Sequence, residues 1–322
     1  GFDGKTILVR LDSIIFCLRE SLKRGINKAS GMTDGVPPTY IIHEGADYNL
    51  TGIKDDKGYP HIQVTEFTPV VLPPFLEGPV HQLKISDAQS AQDLDRIVKS
   101  SDLFDKKLGM YKVNAPLTDQ PHEIGRTRAF TPGWLENESV FMHMAFKYLL
   151  ELLKVGLYDE FFTALKSHLP AFMHPDVYGR SPLENSSFIV SSAHPDPSLH
   201  GNGFVARLTG STAEFLSMWA LMTAGKHPFR VEKDHLVLEF KPILPGWLFK
   251  EDGSFTFRFL GSCDVVLINA LQKNTYAEGY EITKIKLHSS DTVININGAV
   301  IGKPYAERIR LGEFNLIECF YE

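Results

Sequence analysis

Cysteine is scarce. Cys17, Cys263 and Cys319 are the only three among 322 residues, far apart and never in a Cys-x-x-Cys spacing. Zinc binding and dithiol redox chemistry therefore have no support. So sparse and odd a count fits a reducing compartment, and a cytoplasmic location is expected. No run of about 18 apolar residues occurs, so no membrane-spanning helix and no membrane partner are expected. Long basic runs are missing too, and the net charge is −6. Binding a phosphate backbone needs clustered Lys and Arg, so nucleic acid is not an expected partner. His-Glu-x-x-His, Gly-x-Gly-x-x-Gly, the phosphate-binding loop of nucleotidases and Gly-x-Ser-x-Gly are all absent, and no metal or resident cofactor is expected. The chain opens on Gly1 and Phe2 rather than Met. It reads as a trimmed piece of a longer protein, with the question of an upstream leader left open.

What is present is a globular composition, 43% hydrophobic and 22% charged, long enough for one large domain or two ordinary ones. Phe alone numbers 22. Such rings suit stacked sugars, although core packing accounts for most of them. Leu8, Leu11, Ile14, Ile15, Leu18 and Leu22 recur at near-helical spacing, with Gly25 as the expected stop. Residues 31–62, rich in Gly, Pro and Asp, read as a long irregular segment. A short helix is expected over 90–100. The clearest helix spans about 136–155, with Phe141, Met144, Tyr148, Leu149, Leu152 and Leu153 on one face and Lys147, Glu151 and Lys154 on the other. Gly156 stops it, and a second helix follows over 158–168. Residues 174–208 read mostly as loop, and a third helix runs from near Ser211 to Gly225. After residue 229 the period changes to that of strands, with Asn297-Gly298 as a hairpin signal. The boundary is placed there: 1–228 mainly helical, 229–322 all-β, most simply a sandwich.

Three loop–helix junctions gather polar groups. The first, Pro132 to His143, brings Glu136, Asn137, Glu138 and His143 to the start of a helix. Glu136 and His143 are seven positions apart, which places them on one helical face. A carboxylate there could accept from sugar hydroxyls, or it could simply complement the helix dipole. The second, Pro182 to Ser192, crowds polar residues beside an apolar strand-like core. Hydrogen bonding within a loop is its plain alternative. The third, Arg207 to Glu214, is a small-residue turn entering a helix, suited to an anion. Ser211 and Glu214 also read as a capping box. His43, His174 and His194 lack metal-ligand spacing.

These residues resemble a family. Pro132-Gly133-Trp134-Leu135-Glu136-Asn137, with His143 seven beyond the Glu, is similar to the cellobiose phosphorylase motif Pro-Gly-Ile-Lys/Arg-Glu-Asn. Leu208-Thr209-Gly210-Ser211 resembles its Leu-Thr-Gly-Thr/Ser, and Lys241 to Trp247 resembles its Asp-Pro-Cys-Ile-Pro-x-Trp turn. Tyr40 to Tyr48 stands where the family has Trp-Asp-Gly-Glu-Trp-Tyr. The order agrees, and the match is sharpest over 131–260.

The resemblance, to glycoside hydrolase family 94, implies the later helices of an (α/α)6 barrel followed by a β-sandwich. It implies inverting phosphorolysis of β-glucosides, with inorganic phosphate as co-substrate and no cofactor. Carried over, Glu136 and Asn137 would bind a disaccharide or oligosaccharide. His143, Thr209, Gly210 and Ser211 would hold phosphate. The general acid would lie upstream, in a Trp-Asn-Asp segment with no counterpart here, so no catalytic residue is assigned and this chain alone is expected to be inactive. A homodimer, or an upstream half of the same protein, is the expected partner. The departures are Leu135 for a basic residue, Glu138-Ser139 for small residues and Glu214 for Trp. Glu214 adds charge of the wrong sign for phosphate. A glycoside hydrolase, a non-catalytic carbohydrate-binding half and a ligand-free helical scaffold are the competing readings.

Overall fold

The computed structural model describes every residue except 1–3, 5, 31–34, 207 and 208, and the side chains of 29, 30 and 206 are left aside. Gly1, Phe2, Arg207 and Leu208 of the sequence reading thus lie outside the described residues. The chain is a mixed α and β protein with several small sheets and, among the described residues, no closed barrel. It divides into two compact units, residues 1–212 and 213–322.

The first unit opens with α1 (Leu11–Ser30). Gly25 lies inside this helix rather than ending it. An interior glycine costs only about 1 kcal/mol, and Ile26, Asn27 and Lys28 continue the turn. Residues 31–62 are not irregular throughout. They contain most of a hairpin in which β1 (Ile41–Lys54) pairs antiparallel with β2 (Pro60–Val71). Its turn is chemically specified: Asp55 Oδ1 accepts from the N–H groups of Lys57 at 2.9 Å and Tyr59 at 2.8 Å. Gly45, Gly52 and scattered acids interrupt the apolar alternation that marks a half-buried strand. Both faces of the hairpin meet solvent, so no such alternation was required, and Tyr48, Leu50, Ile62 and Phe67 stay exposed.

Next come α2 (Glu77–Leu83) and α3 (Ala88–Ser100), the latter capped by Asp87 accepting from Ser90 N–H at 2.8 Å. The short strands β3 (Phe104–Asp105), β4 (Met110–Tyr111) and β5 (Val140–Phe141) precede α4 (Met142–Val155) and α5 (Tyr158–His168). Helix α4 is the hub, packing on α2, α3 and α5 and burying Tyr148, Leu149, Leu152 and Leu153. Glu151, expected on its polar face, is buried with Lys154 Nζ at 2.9 Å from its carboxylate. Gly156 ends the helix in the left-handed region at φ 93°. The stretch 174–208 is more regular than its Ser, Pro and Gly content suggests. It holds α6 (Pro175–Tyr178), β6 (Ser186–Ile189) and β7 (Gly203–Ala206). Helix α7 (Thr209–Ala224) follows, and the division between the units falls within it.

The second unit contains β8 (Phe229–Glu232), β9 (His235–Glu239), β10 (Ser254–Phe259), β11 (Cys263–Ile268), β12 (Ile282–His288), β13 (Val293–Asn297), β14 (Val300–Ile301), α8 (Tyr305–Arg310) and β15 (Leu316–Tyr321). The composition change at residue 229 coincides with its first strand. Five strands run in the order β10-β11-β15-β12-β13 and three in the order β14-β9-β8. Strict alternation in β11 and β15 buries Cys263, Val265, Leu267, Ile317 and Cys319. Burial pushes the Cys263 thiol up to about 11 and that of Cys319 higher still, so both stay protonated. Phe240, just past β9, packs edge-on against Phe257 and Phe259 of β10. Asn297-Gly298 does not close a hairpin between its flanking strands. β13 pairs with β12 and β14 with β9, so the turn carries the chain from one sheet to the other.

A buried polar cluster ties the first unit together. Asp95 of α3 accepts from Tyr111 at 2.7 Å and Tyr148 at 3.0 Å, and Lys99 Nζ lies 2.6 Å from its other oxygen. His168 is fully buried, with Nε2 accepting from Tyr111 N–H at 3.0 Å and Nδ1 2.7 Å from the Ala164 carbonyl. Those partners require the neutral ring protonated on Nδ1. Desolvation lowers its pKa from 6.5 to about 4. Between those values the unfolded chain binds a proton that the folded one refuses, so stability falls as pH drops through this window. Denaturant unfolding should lose on the order of 3 kcal/mol from this group between pH 6.5 and 4, and His168→Gln should flatten the profile. An equally steep profile in the variant would contradict the assignment.

Candidate functional site

The three polar junctions meet on one small sheet. β5 comes from the first junction and β6 from the second, and β7 leads into the third. The order is β5-β6-β7, antiparallel, with Phe141 opposite Phe188 and Phe188 opposite Phe204. One face is an apolar cluster of Phe188, Val190 and Phe204 covered by Trp134, Leu135, Phe141 and Leu199. Trp134 stacks on Phe204 with ring centres 3.8 Å apart, and Phe141 on Phe188 at 4.6 Å. Each fully buried side chain of this size contributes roughly 1.5–3 kcal/mol. The polar junction residues thus ride on a rigid apolar base.

Glu136 is not on a helix. Residues 133–139 form a tight loop instead, and α4 begins only at Met142. Gly133 starts the loop at φ 79°, where a Cβ would lie 2.5 Å from the His194 nitrogen. Leu135 and Glu138 also take positive φ, and Trp134 bridges to Asn137. Asn137 Nδ2 donates to the Phe130 carbonyl at 2.7 Å, and Ser139 Oγ donates to that of Leu135. These local bonds outcompete helix nucleation, which gains one hydrogen bond for several fixed residues. Glu136 and Glu138 therefore serve no helix dipole. Both carboxylate oxygens of Glu136 accept from one edge of Arg126, from Nε at 3.1 Å and Nη2 at 2.8 Å. Arg126 is largely exposed, so the pair is weak and open to exchange. Glu138 is buried, and Lys112 Nζ donates to it at 3.0 Å. Asn114 closes the loop, accepting from Glu138 N–H at 2.5 Å and donating to the Glu136 carbonyl at 3.2 Å.

His143 occupies the first turn of α4, whose N-cap residue Phe141 makes no side-chain cap. Thr209, Gly210 and Ser211 form the first turn of α7. These two turns touch. A Cβ on Gly210 would lie 2.5 Å from His143 Nδ1 and 2.6 Å from Cγ, so only glycine admits the imidazole there. Ser211 is buried and already inside the helix, so it is not the capping residue of a capping box. Its Oγ instead accepts from Asn185 Nδ2 at 2.9 Å. Thr209 is exposed. The structure thus brings His143 together with the first turn of α7, and anchors Glu136 and Asn137 in a separate loop of the same junction. His174 lies 3.6 Å from Asp176, and His194 Nδ1 accepts from Asp196 N–H. No group with the makeup of a metal site occurs among the described residues, and no described helix is long and apolar enough to cross a membrane.

Sequence reasoning missed Arg126, Lys112 and Asn114, none of which stands in a recognisable spacing to its partner. Asn185 lay within the second junction but had no role assigned to it. The Lys241 to Trp247 turn is held within the second unit by Thr275, which donates to the Pro242 carbonyl at 2.6 Å, and by Asn274, which accepts from Gly246 N–H at 2.9 Å. No protein-family model matches the chain, and no curated protein matches it.

Removing Lys112 would leave the Glu138 carboxylate charged, buried and unpaired. Lys112→Met should cost about 3 kcal/mol in denaturant unfolding. The double variant Lys112→Met/Glu138→Leu should recover most of it. Equal destabilisation in both would mean that the pair contributes packing rather than charge compensation.

Proposed function

We propose that this chain is the later half of a carbohydrate-active protein of the inverting disaccharide phosphorylase type. In this reading its helices belong to an (α/α)6 barrel, residues 229–322 form a β-sandwich, and an upstream half supplies the general acid. The supporting observation is the contact of His143 with Gly210. It joins the N-terminal turns of α4 and α7, both long enough to carry a full dipole, at one imidazole. Backbone N–H groups at such ends, and the positive dipole, favour an anion. Phosphate held by His143, Thr209, Gly210 and Ser211 would attack the anomeric carbon as the glycosidic C–O bond breaks, with the leaving oxygen taking the acid's proton. Glu136, exchanging its Arg126 contacts for sugar hydroxyls, would orient the acceptor sugar beside Asn137.

A second reading, carbohydrate binding without turnover, is favoured by Arg126 occupying both oxygens of Glu136. Calorimetry of this chain with cellobiose, laminaribiose, chitobiose and sophorose addresses it. Under either reading at least one sugar binds, and Glu136→Ala weakens that binding.

Joined to its upstream half, the protein should release a sugar 1-phosphate only when phosphate is present. Gly210→Ala should raise the phosphate KM at least tenfold, because its Cβ displaces the His143 ring. Equal cleavage of β-glucosides with and without phosphate would replace the phosphorylase with a hydrolase. Silence toward every sugar and toward phosphate would leave a helical scaffold.

A further inference from the structure

The five-stranded sheet of the second unit ends on β13. This strand pairs with β12 and, among the described residues, with no other. Its register settles which backbone groups face outward. Ser289 N–H donates to the Thr292 carbonyl at 3.0 Å, and Gly298 N–H donates to that of Thr283 at 2.6 Å. Both bonds join directly opposed residues, and in an antiparallel ladder bonded and non-bonded pairs alternate. The pairs Ile285–Ile296 and Leu287–Ile294 are therefore bonded, whereas Lys284–Asn297, Lys286–Asn295 and His288–Val293 are not. The N–H and C=O groups of Val293, Asn295 and Asn297 thus point away from the sheet. All three residues are exposed.

Such a row of open donors and acceptors is a template for another strand, and proteins commonly block it with charge, proline or a bulge. Edge strand β8 carries Arg230 and Glu232. At the far end of the five-stranded sheet, β10 carries Arg258, paired with Asp264 at 3.1 Å. From Thr292 to Gly302 there is no charged residue and no proline, and β13 pairs with β12 without a bulge. This open edge also complements itself. Laid antiparallel on a second copy with Asn295 opposite Asn295, it sets each Val293 opposite an Asn297. All of these pairs are of the bonded kind, so every outward group finds a partner. On the other face the same register sets Ile294, part-exposed in one copy, beside Ile296 of the second. No like charges meet.

We propose that β13 is a self-association edge, through which two copies of this chain pair antiparallel about a twofold axis at Asn295 and join their five-stranded sheets into one. A contact of this symmetry closes at two copies, because each edge is consumed by its own counterpart. The inference is independent of the sugar and anion readings above and survives their failure. The paired segment is far shorter than the roughly 20–30 residues a side of a standard interface. The dimer is therefore weak and forms in proportion to concentration.

Sedimentation of the full chain over a range of concentrations up to about 1 mM tests this. The wild type should show a reversible monomer–dimer equilibrium. Asn295→Pro should weaken it at least tenfold while the circular dichroism spectrum stays unchanged, because the N–H it removes faces away from β12. Asn295→Lys sets two ammonium groups directly opposite each other and should weaken the dimer as well. Asn295→Lys mixed with Asn295→Asp should associate more tightly than either variant alone. These exposed substitutions inform even if Asn295→Pro does not fold. Hydrogen exchange should find the amides of Val293, Asn295 and Asn297 protected only as the dimer forms, and those of Ile294 and Ile296 protected throughout. A chain that stays monomeric at the highest concentration, assembles beyond the dimer, or forms a dimer indifferent to substitution of Asn295 would overturn the proposal.

Discussion

Gly210 has no side chain, and the arrangement of the candidate site follows from that. The His143 ring fills the space where any other residue would carry its Cβ, so the first turn of α7 lies against the first turn of α4. Two helix ends of like partial charge repel weakly and do not approach by preference. They are held together by what surrounds them: the pairing of β5 with β6 and of β6 with β7, whose shared apolar face includes Phe141, Phe188 and Phe204. Hydrophobic burial thus holds an electrostatic arrangement that would not assemble by itself, and a bound anion would relieve it.

The neighbouring loop follows the opposite rule. Around Glu136 the backbone is fixed by polar contacts, from Asn114, Asn137 and Ser139, with the buried Lys112–Glu138 pair beneath. Asp105 plays the same part for the segment after β6, accepting from Ser192 N–H at 2.6 Å and Ser192 Oγ at 2.9 Å. Side chains that hydrogen-bond their own neighbourhood favour loops over helices. Glu136, by contrast, pairs through its carboxylate with the exposed Arg126. The carboxylate is the adaptable part of an otherwise rigid loop.

Much of the fold was legible where burial imposes a period. Helices α4 and α5, the glycine stop at Gly156 and the strands β10 to β13 follow directly from apolar spacing. The period misled where polar chemistry decides. The helix drawn from residue 136 begins at Met142, because Gly133, Leu135 and Glu138 adopt positive φ that apolar spacing cannot reveal. The hairpin of β1 and β2 escaped notice because both of its faces are wet, so no alternation marks it. At the site, the meeting of His143 with Gly210 was suggested by motif order. The pairing of Glu136 with Arg126 and of Ser211 with Asn185 was not, since neither pair has a fixed sequence spacing. The bond from Asn185 also shows why Ser211 and Glu214 misread as a capping box: the motif is present, but it lies inside the helix.

The account is tested most directly by diffraction from crystals of this chain soaked in arsenate, a phosphate mimic whose anomalous signal locates it without ambiguity. It predicts a peak within hydrogen-bonding distance of a His143 ring nitrogen and of the Gly210 and Ser211 backbone N–H groups. Arsenate found only at surface lysines and arginines, with the space beside His143 and Gly210 unchanged, would contradict it.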